Sequence, residues 1–232
     1  MTKKNSESSQ NRDNYRIIKE KTVFQGWGKI NSLEIKCDKN FDGTPGQEIT
    51  REIYHRGTGN VIGVLLYDPK NDNIVMVEQL RIAAIATSQG NLRNVEISEI
   101  SLCFKEIVLG MTESGETLTQ AAIRESQEET GCQVIELTPI TKYFSSPGGT
   151  TEYVHLYAGR VNSAAENKGI YGNKEEGEDI RVHIIPASEV IKLLYTNQLN
   201  DAHTIIAIQW LATHRTDLRS KWLVKDAGTT II

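Results

Sequence analysis

The chain has 232 residues and a formal net charge of −4, with 26 Lys or Arg against 30 Asp or Glu. This length suits one domain with an appendage, the acidic balance argues against a nucleic-acid partner, and no apolar run is long enough for a membrane span or a signal peptide. The three cysteines, Cys37, Cys103 and Cys132, are scattered and odd in number, which predicts reduced thiols in a cytoplasmic protein.

The N-terminal part of the chain predicts a polar tail followed by a small sheet. Residues 1–15 are polar and lack periodicity, so we expect them to be disordered. Residues 16–57 contain three strand-like segments and no helical pattern: KTVFQGW, KINSLEIKC and QEITREIYH. Because three strands are marginal alone, this antiparallel β subdomain should pack on the main domain, on a second subunit, or on both.

The main domain is predicted to cover residues 58–232 and to open with a hairpin. Its two strands are NVIGVLLYD and NIVMVEQL, joined by the turn PKNDN. From Arg81 to about Leu102 we expect a long loop, either disordered or acting as a lid, because this segment is too long and polar for an ordinary connection. A strand from Lys105 to Leu109 then leads towards the next helix.

That helix carries an unusual set of charges. It is predicted from about Thr117 to Thr130, within the segment GMTESGETLTQAAIRESQEETGC. Thr117 and Gln120 are spaced as a capping box, and Gly131 stands where a helix ends. Four of its carboxylates and its one arginine are of interest: Glu116, Arg124, Glu125, Glu128 and Glu129.

One face of the helix is apolar at its start and acidic at its end. Helical spacing places on it Leu118, Ala121, Ala122, Glu125, Glu128 and Glu129. If the apolar end docks on a core, the carboxylates point inward, where they repel one another and lose hydration. A hard divalent cation removes both costs, and Arg124 can hold the carboxylate of Glu128 four residues on. A solvated acidic helix is the ordinary alternative for a glutamate cluster.

The C-terminal half predicts three more strands, two loops and two helices. The strands are CQVIELTPI, EYVHLYAGRV and IRVHIIP, and the loop SSPGGTTE separates the first two. A polar loop before the third strand ends in four acids: Glu175, Glu176, Glu178 and Asp179. Ser188 is expected to cap a helix through Leu194, and Asn200 or Asp201 to start the last helix, AHTIIAIQWLATHR. This order of elements predicts an α/β/α sandwich around a mixed sheet.

The acidic helix and its flanks resemble the Nudix box, G-x5-E-x7-R-E-U-x-E-E-x-G-U. The matching residues are Gly110, Glu116, Arg124, Glu125, Glu128, Glu129 and Gly131, while Ser126 replaces the aliphatic residue usual in the family. The resemblance implies an Mg²⁺-dependent hydrolase of a nucleoside diphosphate sugar, with Mn²⁺ as a substitute metal. It also implies the fold, a Nudix α/β/α sandwich with a mixed sheet, here with the small N-terminal antiparallel β subdomain added.

The resemblance implies a metal site at the box. Glu125 and Glu129 would be the primary ligands, Glu128 would be a further or water-mediated ligand, and Leu109 would contribute its backbone carbonyl. The residues implied to orient these ligands are Glu116 and Arg124.

The resemblance also gives the second acidic segment a role. Glu176 stands where the family places a mobile carboxylate that activates water, and Glu178 lies beside it as a candidate metal ligand or base. Taken alone, the sequence EEGED would more simply be a solvated loop.

Segments outside the box resemble the ADP-ribose pyrophosphatase group of the family. Pro147, in SSPGG, lies sixteen residues after Gly131, a spacing that marks this group. The segment REIYHRGTGN resembles the GDP-mannose hydrolases equally well. We therefore expect cleavage of ADP-ribose to AMP and ribose 5-phosphate, with another nucleoside diphosphate sugar, such as GDP-mannose or ADP-glucose, as the alternative. A non-catalytic nucleotide-sugar sensor is a third interpretation, which the intact box disfavours.

The same group resemblance implies a substrate site. Arg51 and Arg81 would grip the diphosphate or the terminal ribose, as bidentate guanidinium groups can. Trp27 would stack on adenine from the partner subunit of a homodimer, although an ordinary packing aromatic is an equal alternative. Glu152 and the turn at Pro147 complete the implied site.

Overall fold

The computed structural model describes residues 15–89, 101–163 and 168–227. The chain divides into two compact units. The N-terminal unit comprises Met1–Gly59 and Phe144–Tyr153, and the main unit comprises Asn60–Tyr143 and Val154–Ile232. Apart from Tyr15, which begins the first strand, the tail predicted at residues 1–15 lies outside the described residues.

The N-terminal unit contains the three strands predicted for it. They are β1 (Tyr15–Gln25), β2 (Lys29–Cys37) and β3 (Glu48–His55), which pair antiparallel in the order β1-β2-β3. Strand β3 also bonds to the SSPGG segment, because the Tyr54 N–H donates to the Gly149 carbonyl at 2.9 Å and the Tyr54 carbonyl accepts from the Thr151 N–H at 3.1 Å. The three-stranded antiparallel sheet is therefore confirmed, and the SSPGG loop belongs to its unit.

The main unit is built on an eight-stranded mixed sheet. Its strands are β4 (Asn60–Asp68), β5 (Asn73–Leu80), β6 (Cys103–Glu106), β7 (Val108–Met111), β8 (Glu136–Phe144), β9 (Tyr153–Arg160), β10 (Ile170–Tyr171) and β11 (Ile180–Pro186). The order across the sheet is β10-β11-β5-β4-β9-β8, and β6 pairs with β5 while β7 pairs with β4. The helices in the described ranges are α1 (Ile82–Gln89), α2 (Leu118–Thr130), α3 (Ala187–Tyr195) and α4 (Ala202–Ala227).

Buried side chains cover both faces of the sheet. One apolar cluster joins strand residues such as Leu65 and Met76 to α3 and α4. The other joins Val64 and Val77, on the opposite face, to Ala121 of α2. Because β4 alternates between the two clusters, it is buried on both sides, as a central strand is when helices cover each face. The predicted α/β/α sandwich is confirmed.

The segment after Arg81 differs from the prediction. Residues 82–89 form helix α1 and not a loop, and the Arg81 carbonyl accepts bonds from the Ala84 and Ile85 N–H groups in its first turn. The sequence IAAIATSQ contains three alanines, the best helix formers. The polar residues that follow this segment favoured the loop prediction instead. The rest of the predicted loop or lid, residues 90–100, lies outside the described part of the chain.

The strand predicted from Lys105 to Leu109 is in fact two short strands. β6 pairs with β5 and β7 pairs with β4, so the chain changes partner at Ile107. The Ile107 N–H donates instead to the hydroxyl of Thr204 in α4, at 3.0 Å. A contact 97 residues away along the chain thus satisfies the donor at this crossing.

Both C-terminal helices differ from the prediction at their ends. Pro186 precedes α3 and makes no side-chain cap, so Ser188 lies inside the helix and does not cap it. Asp201 does start α4, since its carboxylate accepts the Thr204 N–H at 2.7 Å. Helix α4 then continues past Arg215 to Ala227, because residues such as Trp222 remain buried against the sheet.

The three cysteines are free thiols, with Cys37 and Cys132 buried and Cys103 exposed. None of the helices in the described ranges has both the length and the apolar character needed to cross a membrane.

Candidate active site

Helix α2 is held at both ends by local bonds. The Thr117 hydroxyl accepts the Gln120 N–H at 3.2 Å, and the Gln120 side chain accepts the Thr117 N–H at 3.0 Å. At the other end Gly131 adopts φ 67°, a left-handed conformation, and its N–H donates to the Gln127 carbonyl at 2.8 Å. The predicted capping box and glycine stop are confirmed.

The acidic end of α2 splits between the interior and the surface. Glu129 is only 2% exposed, and the side chain of Glu125 is 15% exposed. Glu128, also expected to point inward, has 46% of its side chain exposed, so that expectation is wrong. Its carboxylate instead accepts a hydrogen bond from Arg124. This bond holds the Glu128 carboxylate at the edge of the site.

A close approach between Glu125 and β7 explains the first glycine of the motif. A β-carbon on Gly110 would overlap the carboxyl group of Glu125. Gly110 itself pairs with Ile62 in β4, so the strand cannot move aside without breaking the sheet. The Glu125 carboxylate therefore lies directly against the backbone that follows Leu109.

Arg124 connects the box carboxylates to one another. Its Nε and Nη2 donate to the two oxygens of Glu116 at 2.9 and 3.0 Å, and this bidentate bond lowers the pKa of Glu116. Its Nη1 lies 3.0 Å from Glu125 and 3.0 Å from Glu128. Nη2 also donates to the Met111 carbonyl at 3.0 Å. One guanidinium thus ties three carboxylates to β7.

Glu129 is the least compensated charge of the site. Its Oε2 is buried and has no hydrogen-bond partner among the described residues, although the Leu109 N–H bonds to the carboxylate. Burial first, then repulsion from Glu125 and Glu178, raises its pKa well above the ordinary value. Burial likewise raises the pKa of Glu125 to about 7 in spite of Arg124. Buried, mutually repelling carboxylates with a free oxygen fit a divalent cation.

Side chains alone do not supply a complete set of ligands for a metal ion at this site. Within the described ranges, no three His, Cys, Asp or Glu side chains already lie close enough together to hold a metal ion. Mg²⁺ commonly keeps several waters and takes one or two carboxylates, so this does not conflict with a site at Glu125 and Glu129. The backbone oxygen of Leu109 stands in the same region, next to Gly110.

The acidic loop packs on the C-terminal end of α2. The Gly172 N–H donates to the Glu128 carbonyl at 3.4 Å, and the Tyr171 ring would lie 2.8 Å from a β-carbon on Gly131. Glu178 accepts the Asn173 N–H at 2.9 Å and lies close enough to repel Glu125 and Glu129. Glu176 ends a short 3-10 helix, Lys174–Glu176, and its side chain is outside the described part.

Arg81 lies at the edge of the same region. It follows β5, and its Nε donates to the buried carboxylate of Glu106 at 2.7 Å. The guanidinium is also attracted by Glu129 and by Asp201. Sequence reasoning missed Glu106, although a lone acid inside the apolar segment CFKEIVL was a signal for it.

The remaining candidate residues belong to the N-terminal unit. Trp27 lies between β1 and β2, is 81% exposed and has the Arg56 guanidinium 4.2 Å from its ring centroid, so it is not a core packing aromatic. Arg51 is exposed on β3 and donates to the Thr50 carbonyl. The other two candidates are Pro147, in the turn 145–149, and Glu152, whose carbonyl accepts the Ser145 N–H.

The structure therefore groups the predicted residues in two sets. The main unit holds Leu109, Glu116, Arg124, Glu125, Glu128, Glu129, Glu176, Glu178 and Arg81. The N-terminal unit holds Trp27, Arg51, Pro147 and Glu152.

A model of the NUDIX domain matches residues 57–208, which is more than half of the chain. The chain belongs to the Nudix family. A solved structure described as an ADP compounds hydrolase aligns over 89% of this chain and 97% of its own, with a TM-score of 0.65 and 15% identity, which supports the fold alone.

Curated Nudix relatives align over nearly the whole chain. The ADP-ribose pyrophosphatase of Haemophilus influenzae is 35% identical over 206 residues, which is 89% of each chain. That of Escherichia coli K12 is 33% identical over 206 residues, 89% of this chain and 91% of the relative. A GDP-mannose pyrophosphatase of Klebsiella pneumoniae is 29% identical over 201 residues, 86% of this chain and 92% of the relative.

The structure also accounts for the departure of this Nudix box at Ser126. The side chain is fully buried, and its hydroxyl donates to the Ala122 carbonyl one turn earlier, at 2.6 Å. The hydroxyl is therefore satisfied within the helix, and Ser126 fills an aliphatic position without leaving an unpaired polar group.

Proposed function

We propose that this Nudix protein hydrolyses the diphosphate of ADP-ribose to AMP and ribose 5-phosphate, with Mg²⁺ as the metal and Mn²⁺ as a substitute. The observation that carries the proposal is the buried Glu129 carboxylate, with one oxygen unpartnered among the described residues, beside Glu125. The choice of substrate is supported by the ADP-ribose pyrophosphatases that are 35% and 33% identical over 89% of the chain.

The metal would be held by Glu125, Glu129 and the carbonyl of Leu109, with Glu128 as a further or water-mediated ligand. When bound, it would neutralise the carboxylates and the diphosphate and act as a Lewis acid on the phosphoryl oxygens. Arg124 and Glu116 would keep these ligands oriented, a role supported by the bidentate bond between them and by the bonds from Arg124 to Glu125 and Glu128.

The water that attacks phosphorus would lose its proton to a carboxylate of the acidic loop. Glu176 is the first candidate for this base and Glu178 the second. The position of Glu178, near Glu125 and Glu129, supports a loop that can deliver a carboxylate to the site. Closure of such a loop would also exclude bulk water from the reaction.

The nucleoside and the terminal ribose would bind the other predicted site residues, in a homodimer. Arg51 and Arg81 would bind the diphosphate or the ribose, Trp27 of the partner subunit would stack on adenine, and the other two contacts would come from Glu152 and the Pro147 turn. The exposure of Trp27, and of β1 along its whole length despite apolar residues such as Phe24, supports coverage by a second copy.

A panel of nucleoside diphosphate sugars with Mg²⁺, followed by identification of the products, tests the proposal. We expect ADP-ribose to show the highest kcat/KM and to yield AMP and ribose 5-phosphate in equal amounts. Binding of ADP-ribose without release of AMP would contradict an enzymatic role.

GDP-mannose is the second candidate substrate. The relative of Klebsiella pneumoniae named for that activity, 29% identical over 86% of this chain, supports it. A higher kcat/KM for GDP-mannose than for ADP-ribose in the same panel would replace the first proposal by this one.

A further inference from the structure

The guanidinium of Arg81 is locked along one edge by a buried carboxylate. Its Nε donates to Glu106 Oε2 at 2.7 Å, and Nη2 pairs with the same oxygen. Glu106 is almost fully buried, whereas a third of the Arg81 side chain is exposed. The other N–H groups of the guanidinium have no partner among the described residues, so they remain available to a bound molecule.

The backbone of Arg81 is fixed as well. Its N–H donates to the Leu102 carbonyl at 2.9 Å, and its carbonyl accepts from Ala84 at 3.0 Å and from Ile85 at 3.3 Å at the start of α1. Arginine has a large side-chain entropy, which an unrestrained side chain would lose when a ligand binds. Here that entropy is lost on folding, which favours ligand binding by Arg81.

The guanidinium of Arg81 is attracted first by Glu106, then by Asp201 and by Glu129 of the proposed metal site. Glu129 attracts the guanidinium, yet the two side chains do not form an ion pair within 4 Å among the described contacts. The cation therefore faces the acidic site without neutralising it. A diphosphate bound at the box would meet a preformed cation, as well as the carboxylates that hold the metal.

The ion pair between Arg81 and Glu106 is not needed to hold β5 and β6 together. β5 and β6 already pair at four positions, from Val77 with Glu106 to Leu80 with Cys103. Removing the Glu106 carboxylate from water is costly, and burial raises the pKa of this group even though Arg81 opposes the effect. A purely structural role therefore does not explain why this costly ion pair is present beside strands that are already joined.

We propose that Glu106 is a positioning residue of the hydrolase: it holds Arg81 in the orientation that binds the diphosphate of the substrate. This assignment rests on the proposed function, because it requires a nucleoside diphosphate sugar at the box. Glu106 acts through Arg81 and does not touch the substrate itself.

A double-mutant cycle in steady-state kinetics with ADP-ribose and Mg²⁺ tests the proposal. We expect Glu106→Gln, which keeps the shape but removes the charge, to lower kcat/KM about tenfold, mainly by raising KM. In the Arg81→Ala background the same change should alter kcat/KM less than twofold, because there is no guanidinium left to position. Independent effects in the two backgrounds, or an unchanged KM in Glu106→Gln, would overturn the proposal.

The matched control is Glu78→Gln, on β5, the strand that Arg81 follows. Glu78 bonds to His183 of β11 at 2.8 Å, so this change removes a carboxylate contact of β5 that does not involve Arg81. We expect its KM to equal that of the wild type. A rise in KM as large as that of Glu106→Gln would mean that loss of any pair on β5 weakens substrate binding, and would overturn the specific role of Glu106.

Two further outcomes keep the test decisive. If Glu106→Gln does not fold, Glu106→Asp replaces it, since aspartate keeps the charge but its shorter side chain draws the carboxylate back from the Nε–Nη2 edge of Arg81. A KM at least fivefold above wild type supports the proposal, and a wild-type KM overturns it. If the wild-type protein does not cleave ADP-ribose, the proposed function fails, and the cycle with GDP-mannose then decides the role of Glu106 by the same criteria.

Discussion

The carboxyl group of Glu125 lies against the backbone of Gly110, in the space that a β-carbon on that glycine would occupy. Gly110 belongs to β7 and Glu125 to the second turn of α2, so this contact sets how closely the helix approaches the strand. The backbone carbonyl of Leu109 and the carboxylate of Glu125 are thereby brought to one side of the site. A side chain at position 110 would separate them.

Gly110→Ala should therefore impair both folding stability and activity. The added methyl group must displace Glu125 or the strand, at a cost of about 1–3 kcal/mol in the free energy of unfolding. In a Glu125→Ala background the same substitution should cost much less, because the carboxyl group that it meets is gone. Urea unfolding of the four proteins measures the difference, and equal costs in both backgrounds would contradict the contact.

Glu129→Gln should abolish most activity while the fold persists. It removes a proposed metal ligand, so kcat should fall by about a thousandfold or more, and the rise in Tm that Mg²⁺ gives the wild type should disappear. Without metal, the variant should be as stable as the wild type or more so, because a repelling buried charge is lost.

Glu128→Gln is the control for that experiment. Its side chain is 46% exposed and bonded to Arg124, so most of the Mg²⁺-induced rise in Tm should remain. Thermal unfolding with and without Mg²⁺ gives both comparisons, and an equal loss in the two variants would mean that Glu128 contributes as much to metal binding as Glu129.

Glu176→Gln should lower kcat with a smaller effect on the affinity for Mg²⁺, since a base is lost and not a primary ligand. Glu178→Gln is the paired variant. Single-turnover kinetics at saturating Mg²⁺ separates chemistry from metal binding. Wild-type activity in Glu176→Gln together with a large loss in Glu178→Gln would move the base to Glu178.

Asp72 should make the stability of the protein sensitive to acid. Burial acts to raise the pKa of Asp72, but bonds from Arg215 and Tyr67 outweigh it and hold the pKa below its ordinary value. A depressed pKa stabilises the folded state above the unfolded pKa, about 4, and this stabilisation is lost as pH falls through the folded pKa.

Asp72→Asn should accordingly cost about 1 kcal/mol at pH 7 and progressively less below pH 4. Asparagine tolerates the positive φ of 59° at this position, so backbone strain does not contribute to the difference in the free energy of unfolding. Urea unfolding from pH 7 to pH 3 measures it. A cost that stays constant over this range would mean that the carboxylate charge contributes nothing.

Local spacing made much of this protein predictable. The capping box at Thr117, the glycine stop at Gly131, the hairpin β4–β5 and the bond from Arg124 to Glu128 all depend on residues within one element or adjacent ones. Short-range geometry is nearly the same in every fold, so periodicity and turn residues predicted these features. The order of the elements then predicted the layers of the sandwich.

The sequence by itself determined the composition of the box, the ends of its helix and the layered architecture around it. Only the tertiary structure decided that Glu128 faces outward, that the chain changes partner strand at Ile107, and that Glu106 holds Arg81 from 25 residues away. The reason is physical: burial and long-range pairing depend on which distant segments meet, and residue spacing along the chain carries no direct record of that.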